Sequence, residues 1–272
     1  DVIESRGLGD VYKRQELVLA NGGAVIQNFS VTEVNVKDGP NGPMIAGVTG
    51  YLGPKKDGNT MSFKAPLTIG AAGYNCPVSK KITQSIFNEP FRDDEHFCGG
   101  YREYWTGVGG CDGGTGPIEI HFIDEVNPGY FWIFPVSENV VNVGVGMVIS
   151  EQRKQKGMRS SLKKMQKWIT SESPRFSHRF KNAQMVEGTG KGWQLPFGSP
   201  RMKPASFQPR RGAMAGAMCV GDSASLVDPF TGEGIGNALV SAKLTAKIFD
   251  REKHANGFPA DQAAHYMESL WE

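Results

Sequence analysis

The chain has 272 residues, of which 39% are hydrophobic and 21% charged, a composition typical of a globular protein with a substantial core. Its 30 basic and 28 acidic residues give a formal net charge of +2, which does not favour nucleic acid as a partner. The sequence contains no apolar run near the ~20 residues that span a bilayer, and we recognise no secretory signal in it.

The cysteine spacing argues against a zinc site or a disulfide framework, because the four cysteines are far apart and form no C-x-x-C pair. They are Cys76, Cys98, Cys111 and Cys219. The five histidines do not cluster in the sequence either, so we predict no metal site. Free thiols are typical of a reducing compartment, and a cytoplasmic location is expected.

Taken in chain order, the elements begin after residues 1–15, which resemble translated adaptor sequence and are interpreted as a non-native leader. Segments rich in β-branched residues between turn residues then predict extended structure over 22–36, 47–52 and 62–73. Three further strands, separated by Pro, Gly and Asn, predict an antiparallel sheet over 116–123, 129–136 and 139–149.

Two helices are predicted in the second half. One covers 158–170, where apolar residues recur at helical spacing: Leu162, Met165, Trp168 and Ile169. A short buried strand over 217–220 runs into a turn, and a second helix follows over 234–249. Its predicted apolar face consists of Ile235, Leu239, Ala242, Ala246 and Phe249. This order of elements predicts a mixed α/β (α+β) fold.

The turn before the second helix, GDSASLVDPFTGEGIG, holds residue types that suit a polar ligand. Gly221 allows close approach of the backbone, and Asp222 can accept hydrogen bonds from hydroxyls such as those of a ribityl chain. Amide groups at the helix start favour negative charge or electron-rich oxygens. A stiff, open loop precedes them, built with Pro229, Gly232, Gly234 and Gly236. An ordinary strand–helix connection in which Glu233 caps the helix is equally compatible with the spacing.

This segment resembles the second flavin-binding motif, G-D-A-A-x-x-x-D-P-x-x-G-E-G-I, of FAD-dependent oxidoreductases related to p-hydroxybenzoate hydroxylase, and within them the geranylgeranyl reductase family. The resemblance implies that Asp222 contacts the ribityl and phosphate region of FAD and that Gly234 and Ile235 contact the isoalloxazine edge. It implies a wider set of FAD-binding residues: Gly221, Asp222, Pro229, Gly232, Glu233, Gly234, Ile235, Gly236 and, near the adenine, Val31.

A second segment, YFWIFP, followed by Gly144 and Gly146, resembles the Y-x-W-x-F-P…G-x-G signature of the same family. The residues that it marks for substrate binding are Tyr130, Trp132, Phe134 and Pro135. Strand alternation places the three aromatic rings on one face, where they would line an apolar tunnel beside the flavin. Plain core packing of an aromatic strand is the alternative.

Two departures from the family pattern stand out. The segment 65–82 resembles the family's G-A-D-G-x-x-S-x-V, but Ala72 replaces the acid and Cys76 the serine. A small buried residue is favoured over a catalytic thiol at Cys76. No G-x-G-x-x-G follows a predicted strand, so we expect a fragment with an incomplete FAD/NAD(P)-binding Rossmann-like domain. That domain would comprise 16–90 and 206–272, with an inserted antiparallel β-sheet substrate domain over 91–205.

The resemblance implies an enzyme that saturates C=C bonds of geranylgeranyl or other prenyl chains by hydride transfer from reduced FAD. NADPH or a ferredoxin-like carrier would supply the electrons, and no catalytic residue is identified. The alternatives are a flavin monooxygenase or halogenase, although halogenases carry W-x-W-x-I-P, and a non-catalytic carrier of apolar ligands. Basic residues compatible with peripheral membrane contact, or with a solvated surface, are Lys154, Lys156, Arg159, Lys163, Lys164 and Lys167.

Overall fold

The computed structural model describes residues 13–54, 59–91, 94–111, 116–197 and 210–270. Within these residues the strands are, in chain order, β1 (Phe29–Gly39), β2 (Gly42–Leu52), β3 (Thr60–Lys64), β4 (Thr68–Gly70), β5 (Phe97–Thr106), β6 (Glu119–His121), β7 (Gly129–Ser137), β8 (Val140–Val148), β9 (Gln184–Met185), β10 (Lys191–Pro196), β11 (Ala213–Met214) and β12 (Ala217–Cys219). The helices are α1 (13–20), α2 (Pro77–Lys80, continued by a π-helix over Lys81–Ile86), α3 (Ile149–Lys154), α4 (Leu162–Ser171), α5 (Ile235–Ile248) and α6 (Ala260–Ser269).

The chain divides into two compact units. The first comprises Asp1–Ile26 and Phe97–Gln194, and the second comprises Gln27–His96 and Leu195–Glu272. The assignment of flavin binding to one part of the chain and of substrate binding to the other stays a prediction. Among the described residues, no helix is both long and apolar enough to cross a membrane.

The first unit is built on one sheet with strand order β10-β5-β8-β7-β6, in which β5, β8, β7 and β6 pair antiparallel. The short strand β9 pairs antiparallel with the last two residues of β5. Its core lies on one face, where alternate residues of β7 and β8, such as Phe131 and Val143, are fully buried. Met165 and Ile169 of α4 belong to the same core. The predicted antiparallel sheet and the predicted helix of this region are therefore confirmed.

The sequence analysis missed β5, although this strand lies in the middle of the sheet and pairs with β8 along its whole length. Its sequence, FCGGYREYWT, places two adjacent glycines and two charged residues inside the strand, which obscures the period-2 pattern. An ideal Cβ on Gly99 would stand 3.2 Å from Leu162, so the glycine allows the N-terminal end of α4 to approach the strand closely.

The second unit holds two small sheets. Strands β1, β2 and β3 form an antiparallel sheet, and β11, β12 and β4 form another in which β12 and β4 run parallel. The three residues of β12 are fully buried, as predicted for the short strand before the turn. The hydroxyl of Tyr266 on α6 donates a 2.7 Å hydrogen bond to the carbonyl of Cys219, which fixes that helix to the end of β12.

Helix α5 lies where the sequence predicted it, but the prediction of its buried face is wrong. Ile235 and Leu239 are 76% and 47% exposed, and Phe249 lies beyond the last helical residue. The buried side chains are Ser241 and Thr245, whose hydroxyl groups donate to carbonyls of the preceding turn. The packed face of the helix therefore combines these two buried hydroxyl residues with Leu244 and Ile248, which contact the core cluster of Phe258 and Tyr266.

Candidate functional site

The predicted cofactor residues follow the carboxyl end of a parallel strand pair. Gly70 of β4 lies opposite Cys219 of β12, and a 3-10 turn follows each strand, over Gly73–Asn75 and Gly221–Ala224. The hydroxyl of Ser223 donates a 3.2 Å hydrogen bond to the carbonyl of Gly73, so the two turns contact each other. The carboxyl edge of parallel strands is the usual place for a ligand in open α/β sheets.

Gly221 is required at its position for two separate reasons. Its φ is +54°, a region that L-residues with a side chain rarely adopt. An ideal Cβ on this residue would also stand 2.9 Å from the Cβ of Ala238 on α5. Its amide donates a 3.0 Å hydrogen bond to the hydroxyl of Ser241, so the turn is held directly against the helix.

The structure brings Asp222 and Gly234 together. Gly234 is the N-cap of α5, and an ideal Cβ on it would stand 3.4 Å from Oδ1 of Asp222. Burial raises the pKa of Asp222 above its usual value, because removal from water disfavours the carboxylate. A desolvated acid beside a helix N-terminus is a suitable partner for polar hydroxyl groups of a ligand.

The other two acids of the segment hold the loop together. Oδ1 of Asp228 accepts hydrogen bonds from the amide of Thr231 at 2.7 Å, from its hydroxyl at 2.8 Å and from the amide of Phe230 at 3.1 Å. The bonds from Thr231 are the main cause of its lowered pKa. Oε1 of Glu233 accepts a 2.7 Å hydrogen bond from the amide of Gly236. Glu233 therefore caps α5, the alternative that the spacing left open.

The remaining predicted cofactor residues are distributed unevenly. Pro229 and Gly232, the latter with a φ of +71°, lie in the loop that Asp228 closes, and Ile235 begins α5 with an exposed side chain. Val31 lies opposite Gly50 in the sheet of β1, β2 and β3, which is separate from the sheet that contains β12.

The predicted substrate residues form a ladder of aromatic rings along β7. Ring centroids are 5.8 Å apart between Tyr130 and Trp132 and 6.0 Å apart between Trp132 and Phe134, and Phe122 adds a fourth ring 5.9 Å from Tyr130. We call these four residues the aromatic ladder. Pro135, the next residue along the strand, falls on the opposite face by alternation. The ladder and the Asp222 turn belong to different units, and the channel predicted between them stays a prediction.

The two glycines after YFWIFP explain how the central ring of the ladder is seated. Trp132 lies opposite Gly144 in the register of β7 and β8. An ideal Cβ on Gly144 would stand 2.7 Å from Cη2 of Trp132 and closer still to two other indole carbons. The indole therefore lies flat across the strand, and its Nε1 donates a 2.9 Å hydrogen bond to Oδ1 of Asn142.

Sequence reasoning missed a buried acid on the α4 side of the sheet. Glu103 is 8% exposed and accepts hydrogen bonds from the hydroxyl of Tyr101 at 2.9 Å, Nε1 of Trp105 at 3.1 Å and Nε2 of Gln166 at 3.0 Å. Burial, with the hydrogen bond and charge of Glu103, raises the pKa of Tyr101 to about 12. The alternation Y-x-E-x-W in β5 is the signal that could have revealed this cluster.

Comparison with known proteins relates this geometry to a family. Residues 100–189 match the family model of the geranylgeranyl reductase catalytic domain. Digeranylgeranylglycerophospholipid reductase of Methanosarcina acetivorans is 28% identical over 215 residues, which cover 79% of this chain and 46% of that protein. Menaquinone reductase of Mycobacterium tuberculosis is 30% identical over 158 residues, 56% of this chain and 34% of that protein. The chain thus spans less than half the length of these curated relatives.

Solved structures show the same fold at low sequence identity. A geranylgeranyl bacteriochlorophyll reductase-like protein from Thermoplasma acidophilum aligns with a TM-score of 0.69 and 21% identity, covering 94% of this chain and 56% of that one. The flavin-dependent brominase Bmp2 aligns with a TM-score of 0.68 and 19% identity, covering 97% of this chain and 59% of that one. The mixed α/β fold that was predicted is confirmed. Through the matched catalytic domain and these curated relatives, the chain is similar to geranylgeranyl reductases.

Proposed function

We propose that this chain is part of an FAD-dependent oxidoreductase that saturates C=C bonds in prenyl chains of the geranylgeranyl type. The observation that carries the proposal is that the catalytic-domain match over residues 100–189 contains the aromatic ladder with its seating glycine, Gly144. The halogenase-like neighbours share the fold only, and YFWIFP has Tyr130 in place of the first tryptophan of W-x-W-x-I-P and Phe134 in place of its isoleucine.

The residues of the Asp222 turn suit FAD. Gly221 and Gly234 carry no side chain where a cofactor would approach α5, and the carboxylate of Asp222 lies beside them to accept hydrogen bonds from ribityl hydroxyls. The N-terminus of α5 provides a partial positive charge for phosphate or ring oxygens. Reduced FAD, when bound, supplies the hydride for the reaction. The protein contributes orientation and an environment from which water is excluded.

The aromatic ladder suits a prenyl chain. Ring faces along one strand offer continuous apolar area, and burial of isoprene units against it contributes about 25 cal/mol per Å². The hydrogen bond between Trp132 and Asn142 fixes the central ring, so the ladder can orient a flexible chain as well as bind it. We assign the prenyl-binding role to Tyr130, Trp132 and Phe134, with Pro135 ending the regular pairing of β7 and β8.

The test measures flavin binding and double-bond reduction separately. Purified protein is incubated with FAD, reduced without oxygen by dithionite, NADPH or a reduced ferredoxin, and given a geranylgeranyl lipid. A mass gain of about 2 Da per saturated bond is expected. The three reductants distinguish the electron donors that the sequence left open.

Single variants test separately the role of Asp222 in flavin binding and the role of Trp132 in prenyl binding. Asp222→Asn is expected to weaken flavin binding, whereas Trp132→Ala is expected to retain flavin and to lose reduction of the lipid. Trp193→Ala is the control, because this tryptophan lies on β10 and is 62% exposed. Bound flavin with a halide-dependent or hydroxylated product would overturn the reductase proposal in favour of a halogenase or monooxygenase. Binding of the lipid without any flavin would favour a carrier.

We also propose that the basic surface of the first unit contacts anionic lipid headgroups. Lys163, Lys164 and Lys167 on α4 are exposed, and Lys154 is 2.6 Å from Glu151. Each lysine close to an anionic bilayer surface contributes about 1 kcal/mol. Binding to phosphatidylglycerol vesicles should decrease with salt and with charge reversal of the three α4 lysines. Equal binding of wild type and variant would contradict this contact.

A further inference from the structure

Two cysteines in the second unit bring their sulfur atoms together directly before the Asp222 turn. Cys219 is the last residue of β12, and Cys76 is the N-cap of α2. The two Sγ atoms each lie 2.9 Å from the position that a Cβ on Gly70 would occupy, and the thiols are hydrogen-bonded to each other. Gly70 is thus the neighbour that leaves room for both sulfurs.

The hydrogen bond between the two thiols shifts their pKa values in opposite directions. The hydrogen bond from Cys219 lowers the pKa of Cys76 to about 5, against the opposing effect of burial. The same hydrogen bond, together with burial, raises the pKa of Cys219 well above its usual value. The Arg210 guanidinium contributes positive charge close to Cys219. It donates a 2.7 Å hydrogen bond to Ser225. A thiolate beside a thiol is the reactive arrangement of a dithiol redox pair.

Both thiols are shielded from large reagents. Cys76 is 1% exposed and Cys219 is fully buried. Bulky alkylating or disulfide reagents would therefore need the fold to open, whereas hydrogen peroxide is a much smaller oxidant. A neighbouring thiol also captures a sulfenic acid before it is oxidised further.

We propose that Cys76 and Cys219 form a reversible thiol–disulfide site that takes hydrogen peroxide as its oxidant. The Cys76 thiolate attacks one peroxide oxygen, the O–O bond breaks and hydroxide leaves, so that Cys76 becomes a sulfenic acid. The sulfur of Cys219 then attacks the sulfur of Cys76, the S–O bond breaks, and the hydroxyl leaves as water with the proton of Cys219. Two electrons pass from the sulfurs to the peroxide, and a dithiol reductant reverses the reaction.

The other two cysteines provide matched controls. Burial raises the pKa of Cys98 to about 12, which disfavours the reactive thiolate. Cys111 is buried and accepts a 3.3 Å hydrogen bond from Arg179. Both lie in the first unit, so neither belongs to the same unit as the proposed pair.

The experiment treats the reduced, folded protein with hydrogen peroxide, then denatures it in N-ethylmaleimide and maps the peptides by mass spectrometry. We expect a peptide that joins Cys76 to Cys219, about 2 Da lighter than the sum of its reduced parts because two thiol hydrogens are lost. Dithiothreitol should abolish it. Cys98→Ser and Cys111→Ser should retain the cross-link, and Cys219→Ser should instead accumulate a sulfenic acid at Cys76 that dimedone traps.

The proposal is overturned if peroxide leaves both thiols open to alkylation after denaturation, or if the cross-links join other cysteines. Circular dichroism would show whether a serine variant fails to fold. In that case the cross-link in the wild-type protein alone still tests whether Cys76 and Cys219 form a disulfide. The measurement involves neither flavin nor lipid, so its outcome is independent of the reductase proposal.

Discussion

The packing of Trp132 against Gly144 of β8 predicts that alanine is destabilising at Gly144 but tolerated at Gly146, two residues further along the strand. Gly144→Ala would place a methyl group against the indole, at 2.7 Å from Cη2 and closer to two other ring atoms. Such contacts do not occur in folded proteins, so the ring must leave its position and lose the hydrogen bond to Asn142. Gly146→Ala meets only ordinary contacts, the nearest being 3.4 Å to the sulfur of Cys98.

The expected magnitudes follow from three contributions. Overpacking in a well-packed sheet costs about 1–3 kcal/mol. Loss of the bond between Trp132 and Asn142 adds about 1 kcal/mol. Replacing glycine by alanine lowers the entropy of the unfolded chain and recovers about 0.4–1 kcal/mol. Gly144→Ala should therefore lower the free energy of unfolding by about 2 kcal/mol, whereas Gly146→Ala should leave it unchanged or raise it slightly.

Urea unfolding followed by far-ultraviolet circular dichroism measures both variants without relying on tryptophan emission. Emission spectra of the folded proteins then report on the indole directly, and a red shift is expected for Gly144→Ala alone. Equal unfolding midpoints for the two variants, or an unchanged spectrum for Gly144→Ala, would show that the glycine does not seat the ring.

Further predictions concern one ion pair and one turn. Arg179 donates to both carboxylate oxygens of Glu119, at 2.6 and 2.8 Å, and lowers its pKa. The pair therefore stabilises the fold above the pKa of an unfolded glutamate, about 4.3, and this contribution is lost as pH falls through the lower folded pKa. Glu119→Gln should lower the free energy of unfolding by about 1–3 kcal/mol at pH 7 and flatten its decline in acid. Gly221→Ala should destabilise by more than Gly157→Ala, because both have positive φ but only Gly221 also meets Ala238.

Acid titrations of unfolding and thermal melts check these two predictions. If Glu119→Gln shows the same decline in stability below pH 5 as the wild type, the ion pair with Arg179 does not carry the pH dependence. If the two alanine variants melt at the same temperature, backbone strain alone accounts for the requirement at Gly221.

The sequence predicted correctly those elements whose buried residues recur at the period of a strand or a helix within the element itself. Strands β7 and β8 and helix α4 each bury one face by their own period, and the sequence therefore indicated them correctly. β5 was missed because its two glycines serve contacts with α4 and Trp132, which are distant in sequence. The prediction of the buried face of α5 was wrong for a related reason, since the helix approaches Gly221 through Ala238 and Ser241 and contacts the core through Leu244 and Ile248.

In the candidate site, too, the sequence indicated residues within one motif but not the contacts that these residues make. The sequence proposed Asp222, Gly234 and the aromatic strand as site residues, which stays a prediction, and it left open whether Glu233 binds a ligand or caps α5 by accepting the amide of Gly236. The approach of Cys76 to Cys219 could not be predicted either, because the two residues are distant in sequence and meet beside Gly70, which lies opposite Cys219 in the parallel strand pair.

The three acids of the GDSASLVDPFTGEG segment can therefore be separated by their hydrogen bonds. Asp228 accepts hydrogen bonds from two amides and one hydroxyl within its own loop, and Glu233 caps α5. Both carboxylates therefore stabilise local structure. Asp222 differs because burial raises its pKa and its Oδ1 lies beside the N-cap glycine. Since desolvation of an acid is unfavourable unless a partner compensates for it, Asp222 is the acid of this segment best placed to receive a ligand.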